Sequence, residues 1–373
     1  GGITRIAKIA SKLVPIMAVI YFGGALIVIV QNYDNIIPSF NLIFAQIFTG
    51  SAAAGGFLGA SFAMSLKLGL ARGLYSNEAG QGSSPIAHAS AKTEHSVEQG
   101  MVSILEPFID TIIVCSVTAL VILSSNVWTE KFENTFERSS LFFIDGTYSD
   151  KLLPDQEELA KYVSDQRKFT NNASSVKNFT GNLEINDGKL LNKNVTIFHN
   201  NSIAENVKFS SPIKDKSNNF LKDERGNIEI FPFNGLISIN SGKVPIQYKD
   251  IIIEGDSLVH SATLTTKAFG SGILGIYGEY IVAIGLLLFA FSTAIAWSYY
   301  GDRSTAYIFG EKAVPIYRSF YVACFVLAAV IDTTIVWRIA YVVVALVSIP
   351  NLIALFVLRK EMKEQVTGYV IEK

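Results

Sequence analysis

The chain has 373 residues, half of them hydrophobic, and 31 Lys and Arg stand against 32 Asp and Glu. With a net charge of −1, the chain as a whole carries no nucleic-acid signature. The two cysteines, Cys115 and Cys324, both lie in apolar runs, which excludes a disulfide-stapled ectodomain. Apolar residues gather towards both ends of the chain, and a polar block occupies 129–260.

About 20 apolar residues cross the hydrocarbon core, and six runs meet that length. The first is Leu13–Asn32. The second, Pro38–Leu66, holds the sequence IFTGSAAAGGFLGA (Ile47–Ala60), with Gly50, Gly55, Gly56 and Gly59 beside Thr49 and Ser51. A helix interrupted by glycine in mid-membrane exposes backbone groups, which is tolerated where they line a cavity or meet a ligand. The same glycines also suit close helix packing, and both readings stand at this point. The third run, Gly100–Ser125, carries Glu106 and Asp110, four residues apart and so on one helix face. A carboxylate inside a membrane span serves as a cation ligand or proton carrier, or as half of a structural pair.

The polar block that follows reads as β-rich. NLEINDGKL (Asn182–Leu190) alternates around an Asn-Asp-Gly turn signal, and NIEIFPFNGLISI and IQYKDIIIEG alternate likewise. Its start, Thr129–Arg167, reads as more helical and strongly charged. The fourth run, Gly272–Tyr300, contains FAFST (Phe289–Thr293), two hydroxyls in mid-span. Hydroxyl and carbonyl oxygens suit a hard cation such as Na⁺, while back-bonding to the same helix is the commoner fate of such hydroxyls. The fifth and sixth runs are Val314–Ile331 and Thr334–Leu358, the last with Arg338 near its start.

Basic residues flank these runs on alternate sides. Arg5, Lys8 and Lys12 precede the first, and Lys67, Arg72 and Lys92 follow the second. Arg303, Lys312 and Arg318 separate the fourth from the fifth, and Arg359, Lys360 and Lys363 follow the sixth. The positive-inside rule places all four clusters in the cytoplasm and the polar block outside it. No Walker sequence is present, and Gly80-Gln81-Gly82 is not a dinucleotide fingerprint. His88 and His95 lack metal-ligand companions and read as loop histidines, and Ser84 has no catalytic partner, so no enzyme activity is expected.

Several stretches resemble the alanine or glycine:cation symporters. They are GGITRIAKIASKLVP (Gly1–Pro15), FTGSAAAGGFLGA (Phe48–Ala60), GLYSNEAGQGSSPIAHASAKTEHSVEQG (Gly73–Gly100), FIDTIIVCSVTALVIL (Phe108–Leu123), FAFSTAIAWSYYGDRS (Phe289–Ser304) and IPNLIAL (Ile349–Leu355). The resemblance implies an all-α polytopic membrane protein with the second inverted repeat of a leucine-transporter-like fold, plus the extracytoplasmic β-rich insertion. It implies membrane spans at 1–128, resembling helices five to seven, the insertion at 129–260, and spans resembling helices eight to ten with a cytoplasmic tail at 261–373. The first four helices of that fold are then missing, and the chain is expected to be a partial sequence of a plasma-membrane protein.

The same resemblance assigns substrate contacts to Phe48, Thr49, Gly50 and Ser51 on the broken sixth helix. Ala53, Ala54 and Gly55 keep the pocket small, and Thr293 faces the substrate as well. It assigns Na⁺ to Ser292 and Thr293, with Phe289 on the same turn, and to Asp110 and Thr111, where the seventh helix approaches a second ion site. The SNEAG connection is implied to be a cytoplasmic gate or packing motif. The partners implied are a small neutral amino acid, alanine or glycine, and Na⁺, with H⁺ as the alternative coupling ion, the lipid bilayer and no nucleic acid or other cofactor. Two departures stand out: the long insertion, and Tyr341 where the family usually has an Asp four residues after the tenth-helix Trp, here Trp337. The rival expectation is a non-transporting membrane protein whose insertion binds a partner or ligand.

Overall fold

A computed structural model describes residues 3–49, 53–54, 57–58, 62–78, 80–166, 174–213, 220–221, 228–331 and 333–372. The elements run as α1 (Ile3–Gln31), α2 (Ile36–Thr49), β1 (Ala53–Ala54), β2 (Phe57–Leu58), α3 (Phe62–Ser76), α4 (Ser84–His88), α5 (Ser96–Ser103) and α6 (Leu105–Pro107). A π-helix over Phe108–Val114 leads into α7 (Cys115–Ser124). Then come β3 (Lys131–Thr135), β4 (Leu141–Asp145), α8 (Leu153–Gln166), β5 (Gly181–Asn186), β6 (Lys189–Leu190), β7 (Val195–His199), β8 (Ser202–Ile203) and β9 (Glu205–Pro212). The chain closes with β10 (Ile230–Pro232), β11 (Gly235–Ile239), β12 (Ile252–Leu258), α9 (Ser261–Gly270), α10 (Ile276–Phe309), α11 (Val314–Val330) and α12 (Thr333–Glu372).

Two units result: Gly1–Tyr33 with Leu66–Val121 and Phe269–Lys373, and Asp34–Ser65 with Ile122–Ala268. Among the described residues, five helical stretches are long and apolar enough to cross a membrane: Ser11–Gln31, Ser96–Ser124, Ile276–Phe309, Glu311–Val330 and Ile335–Ile371. They match five of the six expected runs. The run Pro38–Leu66 is not one helix. It is helical to Thr49 and again from Phe62, with β1 and β2 paired between.

In the first unit α1 packs along α10. A Cβ on Gly24 would lie 3.0 Å from Ile281 Cδ1 and 3.3 Å from Phe269 Cε1, so a larger residue would require these side chains to shift. The Tyr21 ring lies 5.0 Å from that of Phe269, and its hydroxyl pairs with Thr118 Oγ1 of α7 at 2.6 Å. Gln31 Oε1 accepts the Ile273 backbone N–H at 3.1 Å, ahead of α10. Arg318 of α11 forks onto Asp302 of α10 at 2.7–3.1 Å, and Asp302 is buried. A charge-assisted fork of this kind holds the two helices in one register.

The second unit is built round antiparallel sheets in the orders β10-β9-β12-β3, β11-β5-β6 and β4-β7-β8. The alternation of Gly181–Asn186 puts Leu183 and Ile185 inside and their neighbours out. The Asn-Asp-Gly signal is a two-residue hairpin loop. Asn186 pairs with Lys189, and Asp187 (φ 49°) and Gly188 (φ 70°) are both left-handed, as a type I′ turn requires. One core gathers Phe143, Leu183, Phe209, Ile237 and Ile239, all essentially fully buried. A second places Leu159, Tyr162 and Val163 of α8 against Ile144 and Phe198. Truncating one such ring to Ala costs ~3–5 kcal/mol.

The expectation of a helical start to this region is corrected. Lys131–Thr135 and Leu141–Asp145 are strands, and helix occupies only Leu153–Gln166. Phe142 and Phe143 override the surrounding charge, because Leu141, Phe143 and Ile144 are buried against the neighbouring strand β7.

Beside this core sits a buried polar group. His199 is 1% exposed, stacks on Phe136 at 4.3 Å, and pairs through Nδ1 with Ser257 Oγ at 2.7 Å, while Nε2 has no partner among the described residues. Burial, reinforced by the charge of nearby His260, pushes the imidazole down to about 4. An unfolded histidine takes up its proton near pH ~6.5, so the unfolded chain binds the proton first as pH falls. His199 therefore favours the fold above about pH 6.5 and withdraws about 3 kcal/mol as pH drops through about 4. Amide hydrogen exchange in β7 and β12 should accelerate between pH 7 and pH 4 by more than intrinsic rates explain, and His199→Gln should flatten that slope.

Candidate functional site

Phe48 and Thr49 close α2, and Ala54 pairs with Phe57 in the short hairpin. Gly50 and Ser51 lie outside the described residues. Phe289, Ser292 and Thr293 occupy one turn of α10 at i, i+3 and i+4, so their oxygens share one side of an apolar span. Ser292 Oγ donates to the Phe289 carbonyl at 2.9 Å, the back-bond foreseen for a membrane hydroxyl. That bond uses the hydroxyl proton and leaves the lone pairs of Oγ available to accept. Thr293 is exposed on the same helix and bonds to nothing among the described residues.

Asp110 and Thr111 sit in the middle of the π-helix. The Cys115 N–H reaches back five residues to the Asp110 carbonyl, the bond that defines this winding. Pro107, just ahead, has no N–H to give to an α-helical ladder. The extra width turns Asp110 and Thr111 towards the end of α3. Ser76 Oγ donates to Asp110 Oδ2. Asn77 donates to Thr111 Oγ1 at 2.9 Å and its Oδ1 lies 3.1 Å from the same hydroxyl. Both residues are thus engaged by the first two positions of the SNEAG sequence.

The rest of that sequence makes further ties within the same unit. Gly80 offers its carbonyl to Asn351 Nδ2 of α12 at 3.0 Å. Gly82 has φ 77°, and a Cβ there would press on the Asn351 side chain at 3.1 Å, so a side chain at this position is strained. Gln81, buried, donates to the Leu74 carbonyl at 2.7 Å. Glu78 is left-handed at φ 49°, uncommon for a residue with a Cβ. Burial pushes its carboxyl upward, with a further push from Glu106 and opposing pulls from Ser83, Trp297 and His88.

Glu78, His88, Glu106 and Tyr300 line a cavity of about 420 Å³ together with Ser84 and Ser103. His88 Nε2 lies 3.5 Å from Glu106 Oε2, and His88 Nδ1 pairs with Gln99 Nε2 at 2.8 Å. His88 is therefore a cavity residue and not the plain loop histidine expected. His95 instead packs against the Tyr369 ring. Tyr341 meets Tyr75 at 5.9 Å and Trp337 at 6.2 Å, with the Arg72 guanidinium 3.6 Å over the Trp337 ring. An aromatic stack with a cation above it occupies that position in place of a carboxylate. Sequence reading missed Ser76, Asn77, Glu78, Tyr300 and Asn351. The one available signal was the density of small and polar residues in SNEAGQG.

Long apolar helices, one of them π-wound about a carboxylate, together with a β-sheet region define a helical multi-pass membrane protein. Comparison with known proteins gives the family: residues 1–142 and 237–373 match the sodium:alanine symporter family, and the chain belongs to it. This is a family of transporters and not of enzymes. The chain is 27% identical over 369 residues to an uncharacterised transporter of Haemophilus influenzae, covering 99% of this chain and 53% of that protein. It is 27% identical over 358 residues to the sodium/alanine symporter AgcS of Methanococcus maripaludis, covering 96% and 51%. It is 48% identical over 131 residues to the uncharacterised transporter YflA of Bacillus subtilis, covering 35% and 28%. The chain thus spans about half the length, or less, of these relatives. No solved structure matches it.

The paired bonds between Asn77 and Thr111 should behave as one unit. Asn77→Ala and Thr111→Val should each lower thermal stability in lipid nanodiscs, by about 1 kcal/mol. The double variant should fall short of their sum. Additive losses would mean that the two side chains do not bond.

Proposed function

We propose that this chain forms part of a secondary active transporter that couples uptake of a small neutral amino acid, alanine or glycine, to Na⁺ by alternating access. The observation that carries the reading is the turn Phe289–Thr293. A carbonyl and two hydroxyl oxygens lie along one side of an apolar span, in a chain whose family is the sodium:alanine symporters. Three hard oxygens suit Na⁺, which favours oxygen ligands as other hard cations do. We assign the ion to Ser292, Thr293 and the Phe289 carbonyl, and a second ion position to Asp110 and Thr111.

The substrate is assigned to Phe48, Thr49, Gly50, Ser51 and Ala54, with Thr293. The end of α2 at Thr49 and the new start at Phe62 support a broken span here, and half-helix termini hold the charged ends of an amino acid. The residues at 51–56 are Ser, Ala and Gly only, which leaves room for a methyl side chain and little more. The alternating basic clusters support a plasma-membrane topology with the SNEAG connection cytoplasmic and 129–260 outside. The family match passes over 143–236, which supports an insertion accessory to transport and not a receptor to which the spans are an anchor.

In proteoliposomes holding the full-length protein, Ser292→Ala and Thr293→Ala should each raise the Na⁺ concentration for half-maximal alanine uptake by about tenfold, as loss of about 1.4 kcal/mol of ion binding requires. The alanine concentration dependence at saturating Na⁺ should change least for Ser292→Ala. Unaltered Na⁺ activation in both variants would remove this turn from the ion site.

A further inference from the structure

We infer that Asn77 is a ligand, and Ser76 a positioning residue, of the second ion position proposed above for Asp110 and Thr111, and that the ion held there is Na⁺. The inference rests on that position and adds the residues that complete it. Oxygens of four side chains meet where α3 ends. Ser76 Oγ donates to Asp110 Oδ2, and Asn77 Oδ1 lies 3.1 Å from Thr111 Oγ1. Two consecutive residues at the exit of α3 thus face two consecutive residues of the π-helix.

The charges at this meeting call for a cation. Asp110 lies inside the apolar stretch Ser96–Ser124, where an ionised carboxylate is costly unless something neutralises it. Arg72 of α3 lies over the Trp337 ring, and His88 faces Glu106. Among the described residues no lysine, arginine or histidine is ion-paired with Asp110. The helix end that meets it adds to the imbalance. α3 stops at Ser76 with no basic residue in its last turn, and a helix C-terminus carries about half a negative charge. Two negative ends therefore face each other across Ser76 and Asn77. A cation between them turns that repulsion into attraction.

The oxygens define which cation. Carboxylate, amide and hydroxyl oxygens are hard ligands, suited to hard cations and not to thiolate- or imidazole-seeking metals. Among the described residues no group of three or more His, Cys, Asp or Glu is arranged to hold a metal ion. One carboxylate balances one charge, so the ion is monovalent. Ca²⁺, close to Na⁺ in size, holds oxygens at ~2.3–2.6 Å. Around such an ion, two oxygens 3.1 Å apart take adjacent places. Asn77 supplies Oδ1, Thr111 supplies Oγ1 and Asp110 a carboxylate oxygen, while Ser76 holds the carboxylate through its own hydrogen bond. The ion then ties the exit of α3 to the π-helix. Its departure leaves the two negative ends opposed, so this contact is tighter with the ion than without it.

The test is equilibrium binding of radiolabelled Na⁺ to the full-length protein in lipid nanodiscs. Ser292→Ala and Thr293→Ala are placed in the background to silence the first ion position. Asn77→Ala should raise the Na⁺ Kd by about tenfold, and Ser76→Ala by about threefold. Asn77→Asp keeps an oxygen in place and adds a charge, so it should lower the Kd by about threefold. A residue that only braces the helices would lower thermal stability in both Asn77 variants and leave the Kd alone. An unchanged Kd in Asn77→Ala overturns the inference. So does a Kd in Asn77→Asp no lower than that of the background protein, which decides the matter if Asn77→Ala does not fold. Asp110→Asn tests the position beneath. Na⁺ binding absent from the background protein, or surviving Asp110→Asn, overturns the second ion position itself. Binding lost in Asp110→Asn but unmoved in both Asn77 variants overturns only the part given to Asn77.

Discussion

Hydrocarbon supplies no hydrogen-bond partner, so a spanning segment must pair its own polar groups or find partners on its neighbours. The apolar helices of this chain follow that rule along most of their length and depart from it at two described places. One is the π-helix at Phe108–Val114, where the ladder widens by a residue. The other is the break between Thr49 and Phe62, where α2 stops and α3 begins. Departures of this kind persist only where other groups take up what the ladder releases. At the π-helix, Ser76 and Asn77 engage the side chains of Asp110 and Thr111.

The stretch from Ser76 to Gly82 then gains a role beyond connection. In seven residues it bonds to the π-helix and, through Gly80 and Asn351, to α12. The left-handed backbone at Glu78 and Gly82 fits this. Such conformations persist where the surroundings over-determine them, as these bonds do.

Much of this architecture was legible in the residues. Uninterrupted apolar length marked five helical spans, because burying or lipidating about 20 residues leaves no other pattern. Alternation and the Asn186-Asp187-Gly188 signal marked the hairpin β5–β6, because few residues other than Asn, Asp and Gly accept two left-handed positions in succession. The start of the sheet region was misread. Lys131–Asp145 is locally charged, and its strands exist only because Leu141, Phe143 and Ile144 find distant partners across the sheet. The π-helix and the cavity were also hidden. Winding depends on what Asp110 meets in space, and the meeting of Glu78, His88, Glu106 and Tyr300 spans more than two hundred residues of sequence. Ser292 was legible both ways at once: its hydroxyl does back-bond, and its lone pairs still face outward from the turn.

The β-sheet region falls largely in the stretch 143–236 that the family match passes over. Its two apolar cores and three antiparallel sheets give it a framework that does not depend on the spans for its interior. The family match resumes at residue 237, within that region. The central claim, Na⁺-coupled amino-acid transport, is tested most directly by reconstituting the full-length protein in sealed proteoliposomes and following labelled alanine. An inward Na⁺ gradient should drive accumulation above the external concentration, and dissipating the gradient should abolish it. Uptake that merely equilibrates, whatever the Na⁺ or proton gradient imposed, would contradict it.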